Sequence, residues 1–258
     1  MAILSFSTLA VHLESPVEAI RFARERGFRG VEILCEPPWH PRNWSPSLMR
    51  DVREAAEGLV LSLHAPTGDV NLISRHPGAR RFAEAELSRT LALAARIGAT
   101  HVTVHLGYRA SGVPGEIPFA AAREALARLR RRAEDLGISL CLENDPHLPY
   151  LYLWDLGEYL SWLEGLDLAG TLDIGHAWTA HGDAALEFLP RLASRIAVVH
   201  VSDNGGEVDD HLPLGKGVIP LHAALPPLRG AALWVLELMA PEGMDESREL
   251  MAGMLREG

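Results

Sequence analysis

The sequence predicts an α/β protein built as a single (β/α)8 TIM barrel, and three observations carry that expectation. Short apolar runs of four to six residues alternate eight times with longer amphipathic stretches, the rhythm of parallel strands joined by helical crossovers. The length of 258 residues matches the roughly 250 of one closed eight-stranded barrel. Polar residues able to bind a metal stand at or just past the ends of the apolar runs, where barrel strands converge at their C-terminal ends. An open doubly wound sheet would want a glycine-rich phosphate turn after the first strand, and SFSTLAVHLESP contains no glycine. Residues 1–258 therefore read as one domain.

The elements follow in order. AILSFS at 2–7 is the first strand, and Ser15-Pro16 with Glu18 opens a helix over 16–27, a capping side chain preceding a first-turn proline. GVEIL at 30–34 is the second strand, and Ser45-Pro46 opens the helix at 45–57 in the same way. VLSLH at 60–64, THVTVH at 100–105 and ISLCLE at 138–143 are the next three strands, followed by helical spacing over 77–97, 118–136 and 155–164. Gly27, Gly98 and Gly137 fall where three of these helices should stop. LAGTLD at 168–173, IAVVHV at 196–201 and ALWVLE at 232–237 complete the strands, with helices at 183–193, 219–228 and 245–256.

Composition narrows the function classes. An apolar fraction of 48% and a charged fraction of 22% are ordinary for a globular protein. The net charge of −10 gives no overall basic footprint for nucleic acid, and RLRRR at 128–132 reads as the solvated face of an outer helix. There is no secretory n-region and h-region, and no apolar run long enough to span a bilayer, so a cytoplasmic protein without a membrane partner is expected. Cys35 and Cys141 lie within apolar runs and read as buried thiols. Lys216 is the sole lysine, in a glycine-flanked loop. Trp39, His40 and Trp178, on loops after the second and sixth strands, suit equally an apolar wall for a ligand or packing on the rim.

Nine candidate ligands carry the chemistry: His64, His105, Glu143, Asp173, His176, His200, Asp209, His211 and Glu237. Imidazole and carboxylate groups converging on one point bind Zn²⁺, Mn²⁺ or a similar divalent ion. Glu143 and Glu237 close apolar strands, where an unpaired carboxylate would be costly. His12, His40, His76, His101, His147, His181 and His222 read as structural or surface residues. His101 opens its strand and so belongs at the rim opposite His105.

These residues resemble the xylose-isomerase-like barrel superfamily, which includes sugar isomerases and epimerases and the DNA-repair enzyme endonuclease IV, and the likeness runs over nearly the whole chain. The resemblance to the epimerase branch implies one ion held by Glu143, Asp173, His200 and Glu237, with the two glutamates flanking the carbon that exchanges its proton. The resemblance to the endonuclease IV branch implies a further ion at His64, His105 and Glu143 and a third at His176, Asp209 and His211. All nine positions match, as do Gly215 and Gly217 after the Asp-x-His pair. Zinc or manganese, two or three ions in all, is the implied cofactor. Two departures stand out. The bulky residues with which endonuclease IV wedges open a duplex are replaced by Ala65, Pro66, Thr67, Gly68 and Asp69, and the arginine some epimerases carry after the seventh-strand histidine is replaced by the Asn204-Gly205-Gly206 region.

Two reactions fit these ligands. In the leading reading the protein is a metal-dependent isomerase or epimerase of a small-molecule sugar or sugar phosphate, with Glu143 and Glu237 catalytic and His176, Lys216 and Arg109 at the substrate. Lys216, Arg109 and Arg75 are candidate phosphate contacts in either reading, against the alternative of surface residues. The alternative is an endonuclease IV-like trinuclear zinc phosphoesterase cutting at abasic sites, with DNA the less favoured partner because the loops are neither bulky nor basic. The sequence names no oligomeric state.

Overall fold

Each apolar run forms a strand, and the strands pair in chain order. In the computed structural model, which describes residues 2–12, 14–109 and 115–256, β1 (Ile3–Ser7), β2 (Gly30–Leu34), β3 (Val60–His64), β4 (His101–Val104), β5 (Ser139–Glu143), β6 (Ala169–Asp173), β7 (Ile196–Val201) and β8 (Leu233–Leu236) close into a parallel barrel. β1 pairs with both β2 and β8, which seals the ring. The helices are α1 (Pro16–Glu25), α2 (Pro46–Ala55), α3 (Pro77–Ile97), α4 (Phe119–Asp135), α5 (Leu156–Leu166), α6 (Ile174–His181), α7 (Ala185–Leu192), α8 (Leu221–Ala224) and α9 (Met244–Arg256). No helix among the described residues is long and apolar enough to cross a membrane.

The caps work as the sequence implies. Ser15 Oγ accepts from Glu18 N and Ser45 Oγ from Leu48 N, satisfying amides that the first helical turn leaves open. Gly98 ends α3 in the left-handed conformation at φ 81°. Two connections differ from expectation. Between β6 and β7 the expected helix is preceded by α6, because Asp173 caps it directly from the strand end. Before β8 the expected helix shrinks to the four residues of α8 and a 3-10 turn at Pro226–Leu228, since consecutive prolines remove the amides that would continue it.

The core has two parts. Between sheet and helices lies the larger one, with Trp162, Trp234 and Tyr159 fully buried. Cys141, Val198, Leu233 and Val235 form a separate apolar cluster. Alternate residues of a barrel strand face its interior, so the metal-binding candidates at the strand ends share one rim. Under that rim Tyr159 Oη lies 2.9 Å from Leu142 O and 2.7 Å from Thr171 O, tying α5 to the strands that carry Glu143 and Asp173. Gly170 leaves room for this hydroxyl, since an added Cβ would fall 2.4 Å from it. Gly170→Ala is therefore expected to destabilise the fold by about 1–3 kcal/mol, read as a lower denaturation midpoint; an unchanged midpoint would show that Tyr159 moves aside without loss.

Candidate metal centre

Strand ends supply six of the site's side chains. His64, Glu143 and Asp173 end β3, β5 and β6, His200 is the second-last residue of β7, and His105 and Glu237 directly follow β4 and β8. Register sets Asp173 beside His200. The other three come from the segments after β6 and β7. Asp173 Oδ1 accepts from His176 N at 2.7 Å, so the cap that starts α6 also brings His176 to the rim. Asp209 and His211 lie on a loop folded around Asp203, whose Oδ1 accepts from the amides of Asn204 and Ile219 and whose Oδ2 accepts from Gly215 N. Gly217 is required there, since an added Cβ would lie 2.2 Å from Asn204 O. His211 sits at φ 48°, uncommon for a residue with a Cβ, and its ring is tied to Glu237 O at 2.9 Å.

The nine side chains form three donor sets, in each of which the donor atoms lie within 4.8 Å of one another: His64, His105 and Glu143; His176, Asp209 and His211; and Glu143, Asp173, His200 and Glu237. Glu143 belongs to two of them. Its Oε2 is 3.2 Å from His64 Nε2 and 2.9 Å from His105 Nε2, while its Oε1 is 2.9 Å from His200 Nδ1. Asp209 Oδ2 joins His176 Nε2 at 3.0 Å to His211 Nε2 at 2.9 Å.

Two observations show that these residues fit divalent ions. Four histidines use Nδ1 to bind an oxygen: His64 to Ala65 O, His105 to Asp145 Oδ1, His176 to Asn144 O and His211 to Glu237 O. Each then directs Nε2 into a donor set, the arrangement by which metal-binding imidazoles are oriented. Among the described residues, Asp173 Oδ2 and Asp209 Oδ1 are also buried without a hydrogen-bond partner, and His200 Nδ1 approaches its carboxylates off-axis. Buried polar atoms normally have partners, and cations held in the separate donor sets of Asp209 and of Asp173 with His200 would satisfy all three.

In the chain alone the facing carboxylates favour the protonated form of the site histidines. Burial disfavours the imidazolium of His105, but Glu143 and Asp145 overcome it and raise the pKa to about 10. His211 is raised to about 9 because Asp209 and Glu237 outweigh its burial. Burial, against the pull of His176, raises Asp173 to about 6, whereas Glu143, despite its burial, is held well below the carboxylate range by His200 and His105. The raised histidines give metal-free protein a stabilising contribution that is complete below the ordinary imidazole pKa and lost as pH rises through about 9 to 10. Ions require neutral imidazole, so zinc added to chelator-treated protein near neutral pH is expected to release protons, and its affinity to fall as pH drops from about 8 to about 5. Affinity independent of pH over that span would exclude these histidines as ligands.

A cavity of about 450 Å³ opens above the donor sets and reaches His64, His105, Glu143, His176, His211 and Glu237. Its walls include Leu9, Leu34, Val70, Tyr108, Tyr150 and Leu151, with Glu36 and Asp69 also lining it, and no lysine or arginine among the described residues. Glu36 anchors the segment after His64, accepting from the amides of Thr67 and Gly68; these hold its pKa down although burial opposes them.

Several sequence expectations change here. Lys216 does not line the cavity; it is exposed on a turn closed by its own amide to Pro213 O. Arg109 does not line it either, its guanidinium bonding Tyr152 Oη at 2.6 Å, and exposed Arg75 is likewise absent from the lining. Of the two roles open to Trp39, His40 and Trp178, packing is the one seen, and none lines the cavity: Trp39 Nε1 donates to His12 O, His40 faces Glu86, and Trp178 packs within α6. The seven other histidines fall outside the donor sets. Sequence reasoning missed Asp145, which orients His105; Asn144, whose side chain bonds the backbone N and O of Asp173; Asp203; and Glu32. The available signals were the acidic and amide residues following Glu143, and a carboxylate inside the apolar run GVEIL.

Residues 20–254 match the xylose isomerase-like TIM barrel family, and the chain belongs to it. The uncharacterized protein MJ1614 of Methanocaldococcus jannaschii is 29% identical over 162 residues, 62% of each chain, so the aligned part spans less than two thirds of that relative. The probable endonuclease 4 of Mycobacterium bovis is 28% identical over 247 residues, 89% of this chain and 92% of the other. Among solved structures, a D-tagatose 3-epimerase-like protein superposes with a TM-score of 0.85 at 25% identity, covering 98% of this chain and 97% of its own. The TTHB071 protein of Thermus thermophilus, soaked with zinc chloride, gives 0.76 at 26% identity, covering 100% and 98%. Endonuclease IV of the same organism, at 24% identity, a TM-score of 0.75 and coverage of 99% and 100%, shares the fold. Relatives of the chain thus carry the names of two enzyme classes, a D-tagatose 3-epimerase-like protein and a probable endonuclease 4.

Proposed function

We propose that the protein is a divalent-metal-dependent isomerase or epimerase of a sugar, and that the sugar is uncharged. The observation that carries this reading is the cavity: it lies over Glu143 and Glu237, has a volume within the roughly 300–1,000 Å³ of small-molecule sites, and is walled by apolar side chains and three further carboxylates, Glu36, Asp69 and Asp145, without a lysine or arginine among the described residues. A phosphate group would meet Glu36 and Asp69 there. The likeness to the D-tagatose 3-epimerase-like protein supports the same class.

Bound divalent ions would supply Lewis acidity, polarising a carbonyl and its neighbouring hydroxyl. The residues would do the rest. His200 Nδ1 lies 2.9 Å from Glu143 and 3.1 Å from Glu237, so the two carboxylates stand close together beside one imidazole. Both of Glu143's oxygens are engaged by histidines, whereas only Oε2 of Glu237 approaches one. Glu237 is therefore the freer base to take a proton from the carbon next to the carbonyl, with Glu143 flanking the opposite side. The apolar wall would keep bulk water from the carbanion-like species formed.

One observation favours a second reading. The three donor sets and the sharing of Glu143 between two of them suit a multinuclear phosphoesterase, as the probable endonuclease 4 relatives would imply. One experiment separates the two. Candidate ketoses and aldoses incubated with zinc- or manganese-loaded protein in deuterated water are expected to gain deuterium beside the carbonyl as product forms. Product must be followed too, because an intramolecular hydride shift would convert sugar without label. A duplex with one abasic site is expected to be cut poorly, since Thr67, Gly68 and Asp69 provide no bulky wedge. Efficient cleavage that is lost in Glu143→Gln would replace the sugar reading with the second one.

A further inference from the structure

Below the donor sets, inside the barrel, Glu32 is 0% exposed in an otherwise apolar strand. A carboxylate in such a place is expensive unless paired and hydrogen-bonded, yet among the described residues no lysine or arginine forms an ion pair with it. Its neighbours are Ser62, directly across the β2–β3 register, whose Oγ donates to Oε2 at 3.2 Å, and His200, whose Nε2 lies 2.9 Å from Oε1.

His200 is the odd member of the five site histidines. The other four bind an oxygen through Nδ1 and direct Nε2 into a donor set. His200 is reversed: its Nδ1 faces Glu143 and Glu237, and its Nε2 faces Glu32. A neutral imidazole has one N–H, and the partner of one nitrogen decides which nitrogen keeps its lone pair. Among the described residues no hydrogen bond from Nε2 to a backbone carbonyl substitutes for Glu32, although the Nε2 approach is off-axis as the chain stands.

We propose that Glu32 is a positioning residue for metal binding: it holds His200 as the Nε2–H tautomer and so presents the Nδ1 lone pair to the point shared with Glu143, Asp173 and Glu237. Ser62 keeps the carboxylate turned toward the ring. The negative charge matters as well as the shape, since it makes the imidazole a stronger donor. Glutamine at position 32 could accept the same N–H, but it is neutral, and its amide when flipped would donate and favour the opposite tautomer. This inference rests on the metal-binding role of the donor sets and not on the identity of the substrate.

Zinc binding to chelator-treated protein, measured by competition with a chromophoric chelator, tests it without any turnover assay. Glu32→Gln is expected to weaken one zinc site by about 10- to 100-fold, and Glu32→Ala by at least as much, while any sites at His64/His105 and His176/His211 keep their affinity. Long-range ¹H–¹⁵N spectra of the zinc-loaded wild-type protein need no variant, and are expected to show His200 protonated at Nε2. Unchanged stoichiometry and affinities in both variants, equal weakening of every site, or a proton on Nδ1 of His200 in the wild type would each overturn the proposal. If the duplex is cut and no sugar is converted, the sugar reading fails while this one stands.

Discussion

Glu143→Gln is expected to lower turnover by about 10³-fold or more, at the upper end of what loss of a positioned acid–base group brings, and to empty two metal positions while leaving a third filled. The argument is geometric. Glu143 is the member common to the His64/His105 set and the Asp173/His200/Glu237 set, and its two oxygens serve one each. Glutamine preserves the volume, so the strand end and Asn144's bonds to Asp173 should persist. It removes the charge and turns one oxygen into an amide N–H₂ that faces imidazole nitrogens or other carboxylates. The His176/Asp209/His211 set does not include Glu143 and should keep its ion. Glu237→Gln should cost comparable activity but empty one position at most. His101→Asn, at the far end of β4 and bonded to Thr100, is the control that should leave both properties intact. Metal content by elemental analysis and single-turnover rates decide the matter. Wild-type metal content with turnover within a few-fold in Glu143→Gln would mean the rim is not the active site.

Most of this geometry is legible in the amino-acid order, for a definite physical reason. A barrel forces strand ends to converge, so a polar residue closing an apolar run is already located in space to within a few ångströms. His64, Glu143 and Asp173, which end β3, β5 and β6, need nothing more. What stays illegible depends on side-chain direction in segments without a period. Asp173-x-x-His176 reads as a strand end followed by a loop ligand, but it is a helix cap that begins α6. Lys216 stands out as the sole lysine, yet rarity carries no coordinate, and its flanking glycines serve the turn around Asp203. Arg109 follows a rim strand, but its guanidinium finds Tyr152. Glu32 is hidden because one carboxylate barely changes the apolar signature of GVEIL; only the register with Ser62 and the nearness of His200 give it a role.

Exhaustive chelation is expected to abolish turnover and lower the melting temperature without unfolding the protein at ambient temperature, and excess zinc or manganese to restore both. Activity should vanish because the carboxylates alone cannot polarise a substrate oxygen. Folding should survive because the site carries its own counter-ions: burial disfavours charge on His105, His176, His200 and His211, but facing carboxylates raise all four, and Glu143 and Glu237 are held low by those same histidines despite burial. With protons in place of metal, the pairs remain compensated. The thermal loss follows from mass action, since an ion that binds only the folded chain adds about 4 kcal/mol when present at a thousand times its dissociation constant. Chelated protein should therefore keep its far-ultraviolet circular dichroism at ambient temperature yet melt earlier, and by a larger margin at pH 8 than at pH 5, where protons compete with the ion for the imidazoles. The stoichiometry of recovery distinguishes the site types: activity returning with one ion per chain assigns the chemistry to Glu143, Asp173, His200 and Glu237 alone, and a requirement for more assigns it to the sets that Glu143 joins. Full turnover and an unmoved melting curve after verified removal of metal would sink the metal-dependent reading altogether.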